Sequence, residues 1–265
     1  MALAAAMSIA AQAEVPKERP PLSSVMRAAI DSLRRGYIVE QCKKPLAQCP
    51  ASCLIAAHLD TFLTWVAGIE STTVDIGLQL DKRYKVLTAD SITAIDTAGY
   101  PVLGDPRAPV SVVLYVSSLC SLCKHMMSAL IAAHDTGALT TRVCIIAKPF
   151  GAAPGDRAFM AAWRLGKAWE LENALSLVKQ RTDQPVVMHI ADSLRIDTTR
   201  LKTLMGDPAV ERAIARSRTE GARNGVRVTP AIFINRHPYH SFKDPQWVID
   251  AISYAVSLHQ FRARQ

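Results

Sequence analysis

Apolar side chains recur at helical spacing through the first part of the chain. Between Leu22 and Arg35 they return every three or four residues, which is the period of an amphipathic helix. The same period predicts a second helix from about Pro50 to Ile69 and a third from Asp75 to Tyr84. We therefore expect residues 14–95 to form a helical N-terminal extension.

The pattern changes to β-forming runs after residue 96. Val110–Val116 is one such run and Thr141–Ala147 is a second, as expected of strands buried on both faces. An amphipathic segment that follows Cys120 lies between them, and a strand–helix–strand unit favours a parallel sheet. Gly225–Asn235 contains a third strand region, and Pro245–His259 is typical of a terminal amphipathic helix.

Helical spacing also fills the interval between the second and third strand regions. It continues from about residue 154 to residue 218, with breaks at 183–185 and 206–208, where proline follows aspartate closely. Together these elements predict an α/β domain over residues 96–265 that carries a helical insertion at about 154–218.

The first thirteen residues have the composition of a processing segment. Residues 1–10 are apolar apart from one serine, and Ala11-Gln12-Ala13 has the small-x-small form of a signal-peptidase site. We therefore expect residues 1–13 to be a signal-peptide remnant and the protein to be exported, to the periplasm in a Gram-negative cell. Disulfides persist in that compartment.

Charge and composition narrow the function classes only a little. The 31 basic and 23 acidic residues give a formal net charge of +8, which favours acidic partners without identifying one. Aromatic residues make up 6% of the chain and no basic tract exceeds two residues, so nucleic-acid binding is not expected. Six cysteines are enough for redox or metal chemistry.

The pair Cys120 and Cys123 stands where a buried strand gives way to a helix. Two cysteines three residues apart in the first turn lie on one helix face, and the helix N-terminus favours a thiolate there. This arrangement predicts a redox-active dithiol with Cys120 as the better nucleophile. Half of a zinc site and a purely structural bridge are the alternatives, although no second cysteine pair follows.

Thr229 and Pro230 come directly before the β run that starts at Ala231. Proline is awkward inside a ladder because it supplies no N–H. One interpretation is a proline that only starts a strand. The other is a cis-proline loop beside the dithiol, whose exposed backbone pairs with a substrate segment.

Three motifs in this order, Pro101–Val110, Cys120–Lys124 and Gly225–Asn235, resemble those of the DsbA-like thiol:disulfide oxidoreductases of the thioredoxin superfamily. The resemblance extends from about Asp96 to the C-terminus and leaves residues 14–95 uncovered. It implies an α/β, thioredoxin-like fold with an inserted helical domain, to which the N-terminal helical extension is added.

The resemblance also implies roles for three residues. Cys120 would be the nucleophile, Cys123 the resolving cysteine and Pro230 the cis-proline. Thr229, the residue before this proline, is added as a substrate-binding residue by the loop interpretation given above. The dipeptide between the cysteines is Ser-Leu, and Leu114 stands where many members carry an acid. The redox potential and a carboxylate proton relay are therefore not transferred.

The remaining cysteines form two groups. Cys144 lies in an apolar strand and is expected to be a buried, inert thiol. Cys42, Cys49 and Cys53 fall within twelve residues, and one structural disulfide among them is the first interpretation. A second redox relay and a three-thiolate metal site, with His58 as a further ligand, remain open.

These observations predict an exported enzyme that exchanges disulfides with cysteine-containing exported proteins. A separate redox partner would recycle the dithiol, and we expect neither a cofactor nor a metal to be required. The N-terminal helices are expected to serve as a cap on the core or as a homodimer interface. The alternative function is a periplasmic copper- or zinc-binding tolerance protein built on the same scaffold.

Overall fold

The computed structural model describes residues 22–68, 73–84, 87, 92–179 and 181–264. The expected signal-peptide remnant at residues 1–13 lies outside them. No helix within these ranges is both long enough and apolar enough to cross a membrane.

The described part of the N-terminal extension contains three α-helices, one 3₁₀ helix and a small hairpin. In chain order its elements are α1 (Ser24–Gly36), β1 (Ile38–Val39), β2 (Lys44–Pro45), a short 3₁₀ helix (Leu46–Gln48), α2 (Leu54–Val66) and α3 (Thr73–Tyr84). The side chain of Ser23 caps α1 by accepting a hydrogen bond from the Met26 N–H. The three helices match those predicted, whereas the antiparallel β1–β2 hairpin had no sequence prediction.

Within the described residues, the second part of the chain builds one five-stranded sheet in the order β3-β5-β4-β6-β7. The strands are β3 (Val102–Leu103), β4 (Val110–Val116), β5 (Val143–Pro149), β6 (Ala231–Ile234) and β7 (His237–Pro238). Helix α4 (Ser121–Asp135) connects β4 to β5, and these two strands are parallel as predicted. The other pairs are antiparallel, so the sheet is mixed rather than purely parallel.

A helical block separates β5 from β6. It consists of α5 (Pro154–Trp163), α6 (Ala168–Ser176), α7 (Gln184–Ser193), α8 (Thr198–Met205) and α9 (Pro208–Arg223), and α10 (Pro245–Arg262) follows the sheet. The predicted breaks are real: Asp183 caps α7 and Asp207 caps α9, each directly ahead of a helix with proline in its first turn. The block ends at Arg223 instead of residue 218.

Successive side chains of β4 point to opposite faces of the sheet, and each face is covered. Val112 and Leu114 pack with α4, α10 and the N-terminal helices, whereas Val113 and Tyr115 pack with α9. A third apolar cluster holds α5 to α8 together. The dithiol helix α4 is therefore supported by the sheet on one side and by α10 on another.

Arg83 anchors the N-terminal extension to the rest of the molecule. Its side chain is fully buried and its guanidinium donates to the Tyr239 hydroxyl at 2.6 Å, to Asp250 Oδ2 at 2.7 Å and to the Trp247 carbonyl. The same group lies 4.3 Å from the ring centroid of Phe62. Helices α2 and α3 of the extension thus pack on α10. This is the arrangement expected of a cap on the core.

Candidate functional site

Cys120 is the N-cap residue of α4. Its sulfur accepts a hydrogen bond from the Cys123 N–H at 3.1 Å, and its carbonyl accepts the first helical bond, from the Lys124 N–H. The side chain is half-buried. A sulfur in this position faces the unpaired N–H groups and the positive end of the helix, which favour a thiolate.

Cys123 lies one turn further along and is only 2% exposed. Burial, together with the adjacent Cys120 sulfur, raises the pKa of the Cys123 thiol to about 12, and the Thr229 hydroxyl acts in the opposite direction. The two cysteines therefore differ in access: an incoming molecule can reach Cys120, while Cys123 is accessible chiefly from Cys120 itself.

The loop before β6 closes over the dithiol. The Thr229–Pro230 peptide bond is cis. The Thr229 carbonyl lies 3.4 Å from the Cys120 sulfur, which donates to it, and Pro230 is buried while Val228 is 65% exposed. The structure thus brings together the four residues selected from sequence, and it leaves open backbone beside them.

Position 114 offers no proton acceptor, but a buried carboxyl group reaches the site from the insertion. Leu114 is fully buried in β4. Asp156, in the first turn of α5, accepts from the Ser118 N–H at 2.7 Å and from the Ala153 N–H at 2.9 Å. Burial raises the pKa of Asp156 in spite of these hydrogen bonds. Asp156 thereby holds the loop that precedes Cys120.

Two further contacts hold the same loop to the insertion. The Thr182 hydroxyl donates to the Ser118 carbonyl at 3.2 Å. Gly155 lies so close that a Cβ there would stand 2.6 Å from the Ser118 Cβ, which excludes any larger residue without rearrangement. Sequence reasoning missed Asp156 and Gly155, although an acid in the first turn after Pro154 is a recognisable helix-start signal.

Glu172 is a second buried carboxyl group, on α6. Burial raises its pKa to about 8, the neighbouring Asp156 carboxyl adds to the rise, and Lys124 opposes it. Helix α6 packs against α4, so this group stands behind the dithiol helix. An acid in the middle of an amphipathic helix normally faces solvent, so no sequence pattern marks Glu172 as buried.

A cleft of about 730 Å³ opens beside the start of α4. Its basic side chains are Lys124, His125, Lys179 and Arg181. The Lys124 ammonium donates to the Val178 carbonyl at 3.0 Å, which ties α4 to the segment after α6. Leu119 and Leu177, both on the wall of the cleft, are 49% and 70% exposed. The surface next to Cys120 is therefore basic and partly apolar.

The other cysteines lie apart from this site. Cys144 is 2% exposed in β5, which confirms that it is buried. The sulfurs of Cys42, Cys49 and Cys53 lie within 4.8 Å of one another, and none of the three forms a disulfide in the structure. His58 does not join them as a fourth ligand, because its Nδ1 pairs with Asp250 Oδ1 at 2.8 Å.

Comparisons with known proteins agree with this architecture. The sequence model of the Thioredoxin_4 family, described as thioredoxin, matches residues 96–252, which is more than half of the chain. No curated protein sequence gives a significant match.

Three solved structures illustrate the likeness in fold. A thioredoxin-like oxidoreductase from Silicibacter pomeroyi is 24% identical, with a TM-score of 0.53, over 66% of this chain and 96% of that one. BdbD from Bacillus subtilis, in its oxidised form, is 19% identical, with a TM-score of 0.53, over 62% and 97%. The thiol-disulfide exchange protein α-DsbA2 from Wolbachia pipientis is 17% identical, with a TM-score of 0.52, over 74% and 97%.

The matched residues contain the whole site: the dithiol at the start of α4, the cis-proline loop and the inserted helices that hold them. The thioredoxin-like fold with a helical insertion, predicted from three motifs, is thus confirmed. The chain belongs to the thioredoxin family, within which its fold resembles that of the DsbA-like thiol:disulfide oxidoreductases.

Proposed function

We propose that this protein is an exported thiol:disulfide oxidoreductase that exchanges disulfides with cysteine-containing proteins through Cys120 and Cys123. The observation that carries the proposal is the unequal setting of the two sulfurs. Cys120 is half-buried at a helix N-terminus under the Thr229 carbonyl, while Cys123 is 2% exposed beneath it. Attack from outside and resolution from inside are separate tasks, and the unequal access supports Cys120 for the first and Cys123 for the second.

In the reducing direction, the Cys120 thiolate attacks one sulfur of a substrate disulfide. A mixed disulfide forms, and the other substrate sulfur leaves as a thiolate that takes up a proton. Cys123 then loses its proton and attacks Cys120, so that the Cys120–Cys123 disulfide forms and the second substrate thiol is released. Two electrons pass from the dithiol to the substrate, and the oxidising direction is the reverse sequence.

The loop at Thr229 would position the substrate during both steps. Its carbonyl already lies within 3.4 Å of the Cys120 sulfur, so an extended substrate segment that pairs with this backbone would bring its own sulfur close to Cys120. Each turnover leaves the dithiol in the opposite redox state, and a separate redox partner must restore it. Export to an oxidising compartment, which is expected from the N-terminal sequence, would fit this role.

The proposal is tested by trapping substrates in cells with the full chain. Cys123→Ser removes the resolving thiol and should accumulate mixed disulfides through Cys120, visible as adducts that dithiothreitol releases. Cys144→Ser is the matched control, because this thiol is equally buried but lies in β5. Adducts with the control at the same level, or none with Cys123→Ser, would contradict the proposal.

A further inference from the structure

Three cysteines of the N-terminal extension converge on one point. Cys42 lies in the loop of the β1–β2 hairpin, Cys49 directly follows the 3₁₀ helix, and Cys53 is the N-cap residue of α2. Although the outer two are eleven positions apart, the three sulfur atoms lie within 4.8 Å of one another. Three separate turns of the backbone are needed to produce this convergence.

Each of these turns is ordered in the same way. The backbone N–H of Cys42, Cys49 and Cys53 donates to the carbonyl three residues earlier, at 3.2, 3.2 and 2.9 Å respectively. Buried Val39 and Leu46 support the hairpin and the 3₁₀ helix against the core. The sulfurs are therefore presented by a fixed scaffold and not by a flexible loop.

The number of sulfurs discriminates between a bridge and a metal site. A disulfide uses two cysteines and would leave the third thiol within reach of the bridge, where its thiolate can attack either sulfur. A metal ion uses all three. Thiolates are soft ligands that select copper(I), zinc or iron–sulfur clusters, and a structural zinc site requires four ligands. Among the described residues, the cluster contains three ligating side chains.

We propose that Cys42, Cys49 and Cys53 bind one copper(I) ion as three thiolates, at a site separate from the dithiol and independent of the proposed exchange activity. Metal–sulfur bonds of about 2.3 Å in a planar triangle place the sulfurs about 4.0 Å apart. The observed separations allow this, provided that the Cys42 and Cys53 sulfurs, now 2.7 Å apart, separate by about 1.3 Å. Rotation of the half-exposed Cys42 side chain supplies that movement.

The surroundings suit an anionic metal complex. Copper binds in the +1 state, three protons leave, and no electron is transferred, so three thiolates and the ion carry a net charge of −2. Burial raises the pKa of the Cys42 thiol, and the ammonium group of Lys44 acts against that rise. This ammonium group and the N-terminus of α2, which begins directly after Cys53, offset part of the negative charge of the complex.

The test uses the full chain with Cys120→Ser and Cys123→Ser, because a dithiol also binds copper(I). The reduced protein is titrated anaerobically with copper(I) in competition with a chromogenic chelator. We expect one ion per chain, three sulfur neighbours at about 2.3 Å by X-ray absorption, and a rise in the melting temperature on binding.

Cys49→Ser is the decisive variant. Since Cys49 is half-exposed, its replacement should leave the fold intact, which circular dichroism checks, and should weaken copper(I) binding at least about a hundredfold. Cys144 is a buried thiol outside the cluster, so Cys144→Ser should change neither the fold nor the affinity for copper(I). A structural Cys42–Cys53 bridge would instead be insensitive to Cys49→Ser.

Three results would overturn the proposal. One is unchanged copper(I) affinity in Cys49→Ser. Another is a Cys42–Cys53 disulfide that survives the reductant needed to open the Cys120–Cys123 pair in the unsubstituted chain. The third is preferential binding of zinc when both ions are offered to the reduced protein.

Discussion

The Cys120–Cys123 dithiol and the cluster of Cys42, Cys49 and Cys53 each contain a cysteine at a helix N-cap. They differ in what surrounds that cysteine. Cys120 is the N-cap of α4 and Cys53 is the N-cap of α2. Cys120 is half-buried and faces the loop at Thr229, whereas Cys53 is 5% exposed and faces two sulfurs from other turns. A helix N-terminus lies beside both sulfurs, but their access differs, and under the proposed function access decides which sulfur exchanges disulfides.

Burial raises thiol pKa values in both regions. It raises the pKa of Cys42 and of Cys53, just as it raises the pKa of Cys123 beside Cys120. Each of these thiols is thus a poorer attacker than an accessible thiolate. What distinguishes the dithiol is the presence of an accessible partner on the same helix turn.

The largest effect should come from substituting the two N-cap cysteines in turn. Cys120→Ser should lower the rate of insulin disulfide reduction by roughly a thousandfold or more, since it removes the nucleophile. Cys53→Ser should leave the rate within about twofold, because access and not helix position sets reactivity. Equal losses from both substitutions would remove the distinction between the regions.

Substitution of Arg83 tests whether its buried contacts hold the N-terminal extension, with its three cysteines, to the rest of the molecule. Arg83→Met removes the guanidinium from Asp250, which keeps His58 and Tyr84 as partners, and also from the Tyr239 hydroxyl and the Trp247 carbonyl. It should lower the free energy of unfolding, measured in urea, by about 3–5 kcal/mol. Arg34→Met, which breaks a partly exposed pair with Asp60 at 2.6 Å, should cost about 1 kcal/mol or less. If Arg83→Met lowers the free energy of unfolding no more than Arg34→Met does, the buried contacts of Arg83 do not anchor the extension.

Glu172, which lies behind the dithiol helix, should make the free energy of unfolding depend on pH. Its pKa is about 8 in the folded protein, raised by burial from an ordinary value of 4.5. The folded state therefore keeps the proton between these values while the unfolded chain releases it. The contribution of protonated Glu172 to the free energy of unfolding is full below about pH 4.5 and is lost as the pH rises through about 8.

Between pH 5 and pH 8, the unfolding free energy of the unsubstituted protein should fall by about 2–4 kcal/mol relative to Glu172→Gln. Glu170→Gln, an exposed acid on the same helix, is the control and should follow the unsubstituted protein. Parallel pH profiles for all three proteins would mean that Glu172 is ionised in the folded state.

The smallest expected difference is in alkylation of the reduced protein. At pH 6.5, iodoacetamide should modify Cys120 at least about tenfold faster than Cys123 or Cys53, because only Cys120 combines access with a helix N-terminus. Mass spectrometry of partially labelled protein measures the order. Labelling of Cys53 before Cys120 would reverse the comparison between the two regions.

The sequence was informative where local patterns decide the structure. Apolar periodicity predicted α1, α2, α4 and α10, and the breaks at 183–185 and 206–208 predicted where inserted helices begin, because caps and periods are properties of short segments. The dithiol and the Thr229–Pro230 loop were found from motifs, and the structure places them in contact.

The rest depends on contacts between distant segments. A β run does not reveal the direction of its neighbours, so the parallel sheet expected from β4 and β5 is in fact mixed. Arg83, Asp156 and Glu172 resemble ordinary surface charges in sequence, and only tertiary packing shows that they are enclosed. His58 was left open as a further ligand of a three-thiolate site because it follows Cys53, yet its partner is Asp250, 192 positions away.

The contacts between the helical insertion and Ser118 have a consequence for chimeras in which the insertion is exchanged. Asp156 and Thr182 form hydrogen bonds with the backbone of Ser118, two residues before Cys120, and Gly155 leaves no room for a side chain. A chimera that exchanges the helical block would retain both cysteines and the proline loop. The position of Cys120 would nevertheless change unless the donor block brought its own carboxylate and glycine to the same places.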